Sequence, residues 1–496
     1  MNILAFLSCL LITSTNCKHF RLGRSKGGNL GAPGDCHGDN LPPAQWFVQN
    51  LDHFSRNDLR TWKQRYYVND TFYTPKAASP VFLMIGGEGP SDPRWMVKGA
   101  WIDYAKHFKA LCISLEHRFY GESHPTSDMS IKNLAYLSSE QALADLANFI
   151  SHINDHLPVG TKWIVFGGSY PGSLAAWMRL KYPHLVHGAV SSSGPLLAKV
   201  DFDKYFKVVV DALKEKTGSD DCVNQVKEAH KQIVNLIATN QSKVVESSFR
   251  VCKPFEDASK DDMRNFFNSI ADDFAGVVQY NEDNRISQDE KSQNITINTI
   301  CDLLTDPGSE VAYEKLAKFN SIILDASNQT CLDYSYKNMI KDLRNATWSS
   351  DGGRQWMYQT CTEFGFYQTS SAEETVFGNY FPVDFFIQQC EDVFGKKFNK
   401  KFIYGSARWT NINYGALNVS AGNTVFVHGS VDPWHALGVT EQRRQDDSVG
   451  VIYIKGTAHC ANMYPSRESD AAELRAARAL IARYIAKWLH SSSLLN

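Results

Sequence analysis

Three residues of this chain have the types and the order needed for nucleophilic attack on a carbonyl: Ser169, Asp432 and His459. Ser169 lies in Trp163-Ile-Val-Phe-Gly-Gly-Ser169-Tyr-Pro-Gly-Ser-Leu-Ala-Ala-Trp177. Apolar residues 164–166, bounded by glycines, read as a buried strand, and residues 174–180 read as a helix. A serine at that corner projects its hydroxyl clear of its own backbone, and the free N–H groups of the helix start suit a developing oxyanion. Asp432 follows the apolar run 424–428 and His459 follows the run 450–454, so all three sit just past strand ends. In such a set His459 takes the serine proton and returns it to the leaving amine, while Asp432 fixes the imidazole tautomer and steadies its cation. Each residue has a plainer reading taken singly: a Gly/Ser turn, a turn aspartate before proline, a loop histidine. Their order and placement together point to a triad. His428, inside or at the end of its strand, and His435, close behind the acid, are decoys.

The elbow reads G-x-S-x-P rather than G-x-S-x-G, because Pro171 fills the last place; proline is tolerated in a first helical turn, so the geometry survives. This strand–serine–helix corner is the nucleophile elbow of α/β-hydrolases. An oxyanion hole needs two N–H donors. The backbone of Tyr170 is one, and Gly87 or Glu88, in the loop Gly86-Gly-Glu-Gly-Pro after an early strand, is the other.

The elements that must position these groups alternate as strand and helix. Apolar runs at 80–86, 111–115, 164–166 and 188–193, with a helix at 139–152, read as parallel βαβ units, preceded by strand-like stretches at 46–51 and 62–68. From 201 to 400 the pattern turns helical, polar and cysteine-bearing, with helical spacing at 202–216, 223–237, 261–274 and 311–323. The α/β pattern then returns and ends in an amphipathic helix at 471–489. The expected architecture is an α/β-hydrolase domain in two parts, 42–200 and 401–496, interrupted by a helical cap at 201–400.

The chain has 496 residues, 43% of them hydrophobic, and a formal net charge of −2, which allows a large core and offers no basic stripe for nucleic acid. Residues 1–17 read as a secretory signal peptide and 18–41 as a basic, glycine-rich tail or pro-segment. No other run is long enough to cross a bilayer. Nine of the eleven cysteines lie beyond Cys17, which in an exported chain implies disulfides and one odd thiol. Cys112, inside an apolar strand, is the candidate for that thiol, while Cys36 and Cys460 have no assigned partner. The cap's six cysteines (Cys222, Cys252, Cys301, Cys331, Cys361 and Cys390) leave their pairing open. Sequons at Asn69, Asn240, Asn294, Asn328, Asn345 and Asn418 favour a glycosylated exported protein. With no C-x-x-C pair and no H-E-x-x-H, neither a metal nor a cofactor is expected.

Six stretches carry a more specific resemblance: Leu51-Asp-His-Phe, Gly86-Gly-Glu-Gly-Pro, Glu116-His-Arg-Phe-Tyr-Gly-Glu, Gly167-Gly-Ser-Tyr-Pro-Gly, Tyr358-Gln-Thr-Cys-Thr-Glu and Val431-Asp-Pro-Trp. From about residue 42 to 490 the chain resembles the peptidase family of lysosomal Pro-Xaa carboxypeptidase, dipeptidyl peptidase II and thymus-specific serine protease, and looks closest to the thymus-specific branch. The resemblance implies exopeptidase activity, often beside proline, with secreted or lysosomal/endosomal placement. It implies the pairs Cys222–Cys301, Cys252–Cys331 and Cys361–Cys390, and it brings Phe366 and Tyr367 near the site. Those two and Trp434 are the expected walls of a flat slot for a proline ring. Pro171 and Ser173 depart from the pattern near the pocket. The expected partners are peptide substrates and a second copy in a homodimer. Two readings compete: a lipase or esterase, for which this polar, sequon-rich cap is a poor lid, and an inactive binding protein, which the intact triad set disfavours.

Overall fold

The computed structural model describes residues 20–25, 28–34, 40–75, 79–282, 295–348, 351–372, 376–442 and 446–490. The expected signal peptide, Cys36 and Asn294 lie outside them. In chain order the strands are β1 (Phe20–Arg21), β2 (Arg24–Ser25), β3 (Gln45–Asn50), β4 (Thr61–Asn69), β5 (Val81–Ile85), β6 (Leu111–Leu115), β7 (Trp163–Gly168), β8 (Gly188–Ser192), β9 (Lys199–Asp201), β10 (Gly365–Tyr367), β11 (Thr424–Gly429) and β12 (Gly450–Ile454). The helices used below are α1 (Ala100–Phe108), α2 (Ser139–Asn154), α3 (Tyr170–Lys181), α4 (Lys204–Thr217), α5 (Asp221–Ala238), α6 (Lys260–Gln279), α7 (Ile297–Thr305), α8 (Val383–Phe394), α9 (Lys400–Tyr414) and α10 (Ala472–His490).

Eight strands form one sheet in the order β12-β11-β8-β7-β5-β6-β4-β3, parallel from β12 to β6 and antiparallel at β4 and β3. This is the α/β-hydrolase fold, with β7, the strand that leads into Ser169, at its centre. The continuous apolar runs of β5, β6 and β7 follow from burial on both faces. Successive side chains part company: Val81, Leu83, Trp163 and Val165 join the core under the cap, whereas Phe82, Met84, Ile164 and Phe166 join the opposite core with α1 and α10. Cys112 faces that second core as a free thiol, which burial pushes up, and Cys460 is a second free, buried cysteine.

The insertion is helical, and its three disulfides are those the resemblance implies. Cys222–Cys301 ties α5 to α7, Cys252–Cys331 closes a loop, and Cys361–Cys390 ties a π-helical turn, Thr360–Phe364, to α8. The insertion ends later than expected, because α9 starts at Lys400 and the sheet resumes only at β11. Its two ends are clasped: Asn411 accepts from the Ala198 N–H at 2.9 Å and donates to its carbonyl at 2.8 Å, and Tyr414 stacks on Trp177 of α3 at 4.0 Å. Of the sequons, Asn240, Asn328, Asn345 and Asn418 are exposed, whereas the Asn69 amide donates to the Met96 carbonyl at 2.7 Å and is partly buried.

The Tyr358-Gln-Thr-Cys-Thr-Glu stretch is where the cap docks. Gln359 donates to the Tyr170 hydroxyl at 3.1 Å and accepts from Tyr120 at 2.7 Å. Glu363 accepts from the Ser139 N–H (2.8 Å) and hydroxyl (2.6 Å) at the start of α2, a favourable end for a carboxylate. Burial nevertheless pushes its carboxyl up from 4.5 to about 7. The folded chain thus holds this proton more tightly than the unfolded one, so the stability it contributes is greatest below about pH 4.5 and is lost as pH rises towards 7. Across that window the loss amounts to roughly 3 kcal/mol. Glu363→Gln should flatten the slope of unfolding free energy between pH 4.5 and 7.5, measured by urea denaturation; an unchanged slope assigns the effect elsewhere.

Candidate active site

The site occupies the carboxyl edge of the parallel strands. Ser169 joins β7 to α3 with φ 64° and ψ −132°, a conformation L-residues avoid and a nucleophile elbow imposes. Two contacts hold it: the Ser169 N–H donates to the Ser192 carbonyl at 2.9 Å, and the Gly172 N–H donates to the Ser169 carbonyl at 2.8 Å. A Cβ on Gly167 would lie 2.0 Å from the Pro171 carbonyl oxygen, and one on Gly172 would lie 2.6 Å from the Ser192 oxygen, so both must be glycine. Ser173 is turned away from the cleft; its hydroxyl donates to the Pro195 carbonyl at 2.9 Å.

Asp432 caps the short 3-10 turn Pro433–Leu437, accepting from the Trp434 N–H at 3.1 Å, and its Oδ1 lies 2.9 Å from His459 Nδ1. Both side chains are fully buried. Burial alone would raise the Asp432 carboxyl, but the adjoining imidazolium holds it below the usual carboxylate range. Burial likewise depresses the His459 imidazolium, and the Asp432 carboxylate outweighs it, lifting His459 well above its ordinary value. His459 follows β12, and the next residue, Cys460, lies against Gly168 while its N–H donates to Ser193 at 2.9 Å. The serine run 191–193 therefore stitches the elbow to the histidine loop, a role its plain strand signal did not disclose. His459 Nε2 is buried and has no hydrogen-bond partner among the described residues; the Ser169 hydroxyl instead accepts from the Asn29 side chain at 3.1 Å. The decoy His428 is buried and pushed down to about 4 by that burial, so it stays neutral.

The loop after β5 lies against the elbow. Gly87 faces the Pro171 ring so closely that a Cβ would sit 2.3 Å from Pro171 Cγ. The proline that breaks the G-x-S-x-G pattern is thereby matched to this glycine. The Glu88 side chain is buried, which raises its carboxyl, and it accepts from the Asn29 N–H at 3.1 Å. Beneath the loop, the Glu116-His-Arg-Phe-Tyr-Gly-Glu stretch is scaffolding. Arg118 grips Asp145 with two bonds of 2.6 and 2.7 Å, and Glu116 holds Arg65 and the N–H groups of Ser91 and Glu122.

The expected slot walls are placed differently from one another. Trp434 is buried, meets Phe366 edge-on at 5.3 Å and donates to Gln279 at 2.8 Å. Rings in edge contact cannot sandwich a proline between them, so Phe366 buttresses Trp434 rather than facing it across a slot. Tyr367 is corrected outright: its ring stacks on Phe386 at 5.5 Å and its hydroxyl lies 3.0 Å from Cys390 Sγ, inside the cap. The helical spacing predicts an end at 274, but α6 runs on to Gln279. The Gln279 carbonyl accepts from the His459 N–H at 3.0 Å, and the Tyr280 ring lies 6.2 Å from that imidazole. The apolar pair Val277–Val278 was the signal that the helix continues.

A strained serine at the centre of a parallel sheet, with a buried Asp–His pair on the following strands, defines a hydrolase of the serine type. The model of the family described as serine carboxypeptidase S28 matches residues 49–481, and the chain belongs to that family. It is 36% identical to the thymus-specific serine protease of Mus musculus over 466 residues (91% of this chain, 89% of the relative). It is 34% identical to the thymus-specific serine protease of Homo sapiens over 461 residues (90% and 87%). To the Homo sapiens lysosomal Pro-X carboxypeptidase it is 29% identical over 458 residues (90% and 88%). The chain is therefore a serine-type peptidase, nearer to the thymus-specific branch, and not a lipase.

The fit of Gly87 to Pro171 is testable. Gly87→Ala alone should destabilise the chain by roughly 1–3 kcal/mol through overpacking. Combining it with Pro171→Gly should recover most of that loss, a non-additivity read from urea midpoints in a double-mutant cycle. Strict additivity would show that the ring does not set the glycine requirement.

Proposed function

We propose that this chain is an exopeptidase that hydrolyses peptide bonds through an acyl-enzyme on Ser169, preferring a proline or small apolar residue next to the cut. The observation that carries the reading is the 2.9 Å Asp432–His459 pair, delivered by β11 and β12 to the edge where β7 presents Ser169. Ser169 attacks the scissile carbonyl as the neutral form of His459 takes its proton at Nε2. Asp432 keeps the Nδ1–H tautomer and stabilises the imidazolium, and the proton then passes to the leaving amine. The N–H groups of Tyr170 and of Gly87 or Glu88 take the oxyanion. Water repeats the sequence to release the acyl group.

The cap supports trimming of chain ends: its Gln279 carbonyl accepts from the His459 N–H at 3.0 Å and its Tyr280 ring lies 6.2 Å from that imidazole, so the cap walls the cleft beside the histidine. The Trp434 ring offers the apolar surface a proline needs, and a ring without an N–H leaves no donor unpaired there. Three disulfides and the exposed sequon residues Asn240, Asn328, Asn345 and Asn418 support a glycosylated protein of an oxidising route, secreted or lysosomal/endosomal.

Ser169→Ala should abolish peptide turnover with folding intact, and Asp432→Asn should lower kcat by about 10⁴ through loss of tautomer control. Both are assayed as the whole chain and after limited proteolysis; turnover surviving in a clean Ser169→Ala preparation overturns the assignment. Trp434→Ala should lower kcat/KM for proline peptides by roughly 1–3 kcal/mol more than for others. Equal losses across a peptide library would make Trp434 structural.

A further inference from the structure

The residues expected to form a basic tail are threaded through the catalytic cleft. Leu22 and Gly23 turn the β1–β2 hairpin with φ of 49° and 64°, and that turn rests on Trp434: a Cβ on Gly23 would lie 2.3 Å from Trp434 Cζ2. The Gly23 carbonyl accepts from Gln279 at 3.3 Å, and the Leu22 carbonyl accepts from the Trp356 indole at 3.2 Å. Arg24, 5% exposed, donates twice to the Glu88 carbonyl, at 2.9 and 2.8 Å, and pairs with Asp351 in the cap. Gly28 crosses the oxyanion loop so closely that a Cβ would be 3.2 Å from Gly89 Cα.

Asn29 is the centre of the arrangement. It is 2% exposed; its N–H donates to Glu88 Oε1 at 3.1 Å and its side-chain amide donates to the Ser169 hydroxyl at 3.1 Å. Its Oδ1 accepts from Tyr280 at 2.8 Å and from the Ser25 N–H at 3.1 Å. Beyond it, the Leu30 and Gly31 carbonyls accept from Tyr464 at 2.7 Å and Trp95 at 2.9 Å. One strip of chain thus covers the Trp434 surface, the oxyanion loop and the nucleophile together. A substrate needs all three. The group that meets Ser169 is an amide nitrogen whose oxygen is already held by two donors, so this contact is not a Michaelis complex awaiting attack.

We propose that the N-terminal segment whose described residues are 20–25 and 28–34 is an intramolecular inhibitor, so that the whole chain is a zymogen. It is released when another endopeptidase adds water across one peptide bond on the C-terminal side of Gly34 and the freed segment leaves the cleft. The inference rests on Ser169 being the nucleophile. Tethering makes a modest affinity sufficient: an effective concentration on the order of 1 mM against a Kd of about 10 μM leaves the cleft open only about 1% of the time.

The test places a site-specific endopeptidase sequence at residues 40–44, which are mostly exposed and precede β3. Fluorophosphonate labelling and peptide turnover are then measured on the secreted chain before cutting, and after cutting and gel filtration. Whole chain should label and turn over about 100-fold more slowly than cut chain freed of the segment. Uncut Gly23→Val, whose side chain must lift the turn off Trp434, should approach the cut form. Added synthetic 20–34 peptide should inhibit the cut enzyme competitively. Equal rates before and after release overturn the proposal, as does a cut chain that loses its fold, read by circular dichroism, when the segment departs. Should neither form label, anisotropy of a fluorescent 20–34 peptide on the cut chain separates the two claims: binding displaced by proline peptides keeps the segment as a cleft ligand and rejects Ser169, and no binding rejects the inhibitor.

Discussion

The catalytic edge depends on a backbone conformation that no L-residue adopts willingly. At φ 64° and ψ −132°, Ser169 stores strain of order 1–3 kcal/mol, and it persists only because its surroundings leave no alternative. The donor and acceptor of its own peptide groups are claimed by the Ser192 carbonyl and the Gly172 N–H, and the glycines on either side let those chains come within contact distance. Relaxing Ser169 would break both bonds inside a buried core, where an unpaired backbone group costs about as much as the strain. The same neighbourhood then fixes everything else. Ser193 receives the Cys460 N–H beside His459, and Gly87 receives the Pro171 ring. The oxyanion loop and the histidine loop are thus referenced to the elbow rather than to solvent.

The cap is joined to this edge through polar groups with few alternatives. Gln359 is shared between Tyr120 and Tyr170, Glu363 between Ser139 and Gln359, and Gln279 between Trp434, Tyr205 and the histidine loop. Buried networks of this kind are stable only when complete, which makes the cap's position discrete. The disulfide from Cys361 to Cys390 holds the π-helical turn that carries Glu363, so an oxidised cap and a docked cap are linked states.

Much of this was legible in the chain. β6 and β12 fall on the expected residues: β6 is buried along its whole length and β12, an edge strand, still reads as an apolar run. The Asp–His pairing was legible because strand ends in a parallel sheet share one edge. What was not legible depends on contacts distant in sequence. Nothing in Tyr367 says that its ring stacks on Phe386, and nothing in Gln279 says that it stops beneath His459. Phe366 was expected to face Trp434 across a slot, but a list of aromatics carries no interplanar angle, and the rings meet edge-on at 82°. The glycine-rich tail misled for a related reason: glycines that signal mobility in isolation are also what lets a chain lie flat against Trp434 and Gly89.

The chemistry of the cleft explains why a peptide segment, and not solvent or a side-chain lid, fits it. The loop after β5 turns the Glu88 carbonyl towards the cleft, where it needs donors and receives two hydrogen bonds from Arg24. The Glu88 carboxylate, buried beside it, accepts a backbone N–H. Next to these polar demands lies the indole of Trp434, which wants an apolar cover. Only a chain that alternates backbone donors with apolar contacts meets all three demands at once, and a substrate peptide has that same alternation. The features that suit the site to an extended peptide therefore also suit it to the chain's own N-terminal residues, whose Asn29 amide nitrogen is the group that reaches Ser169.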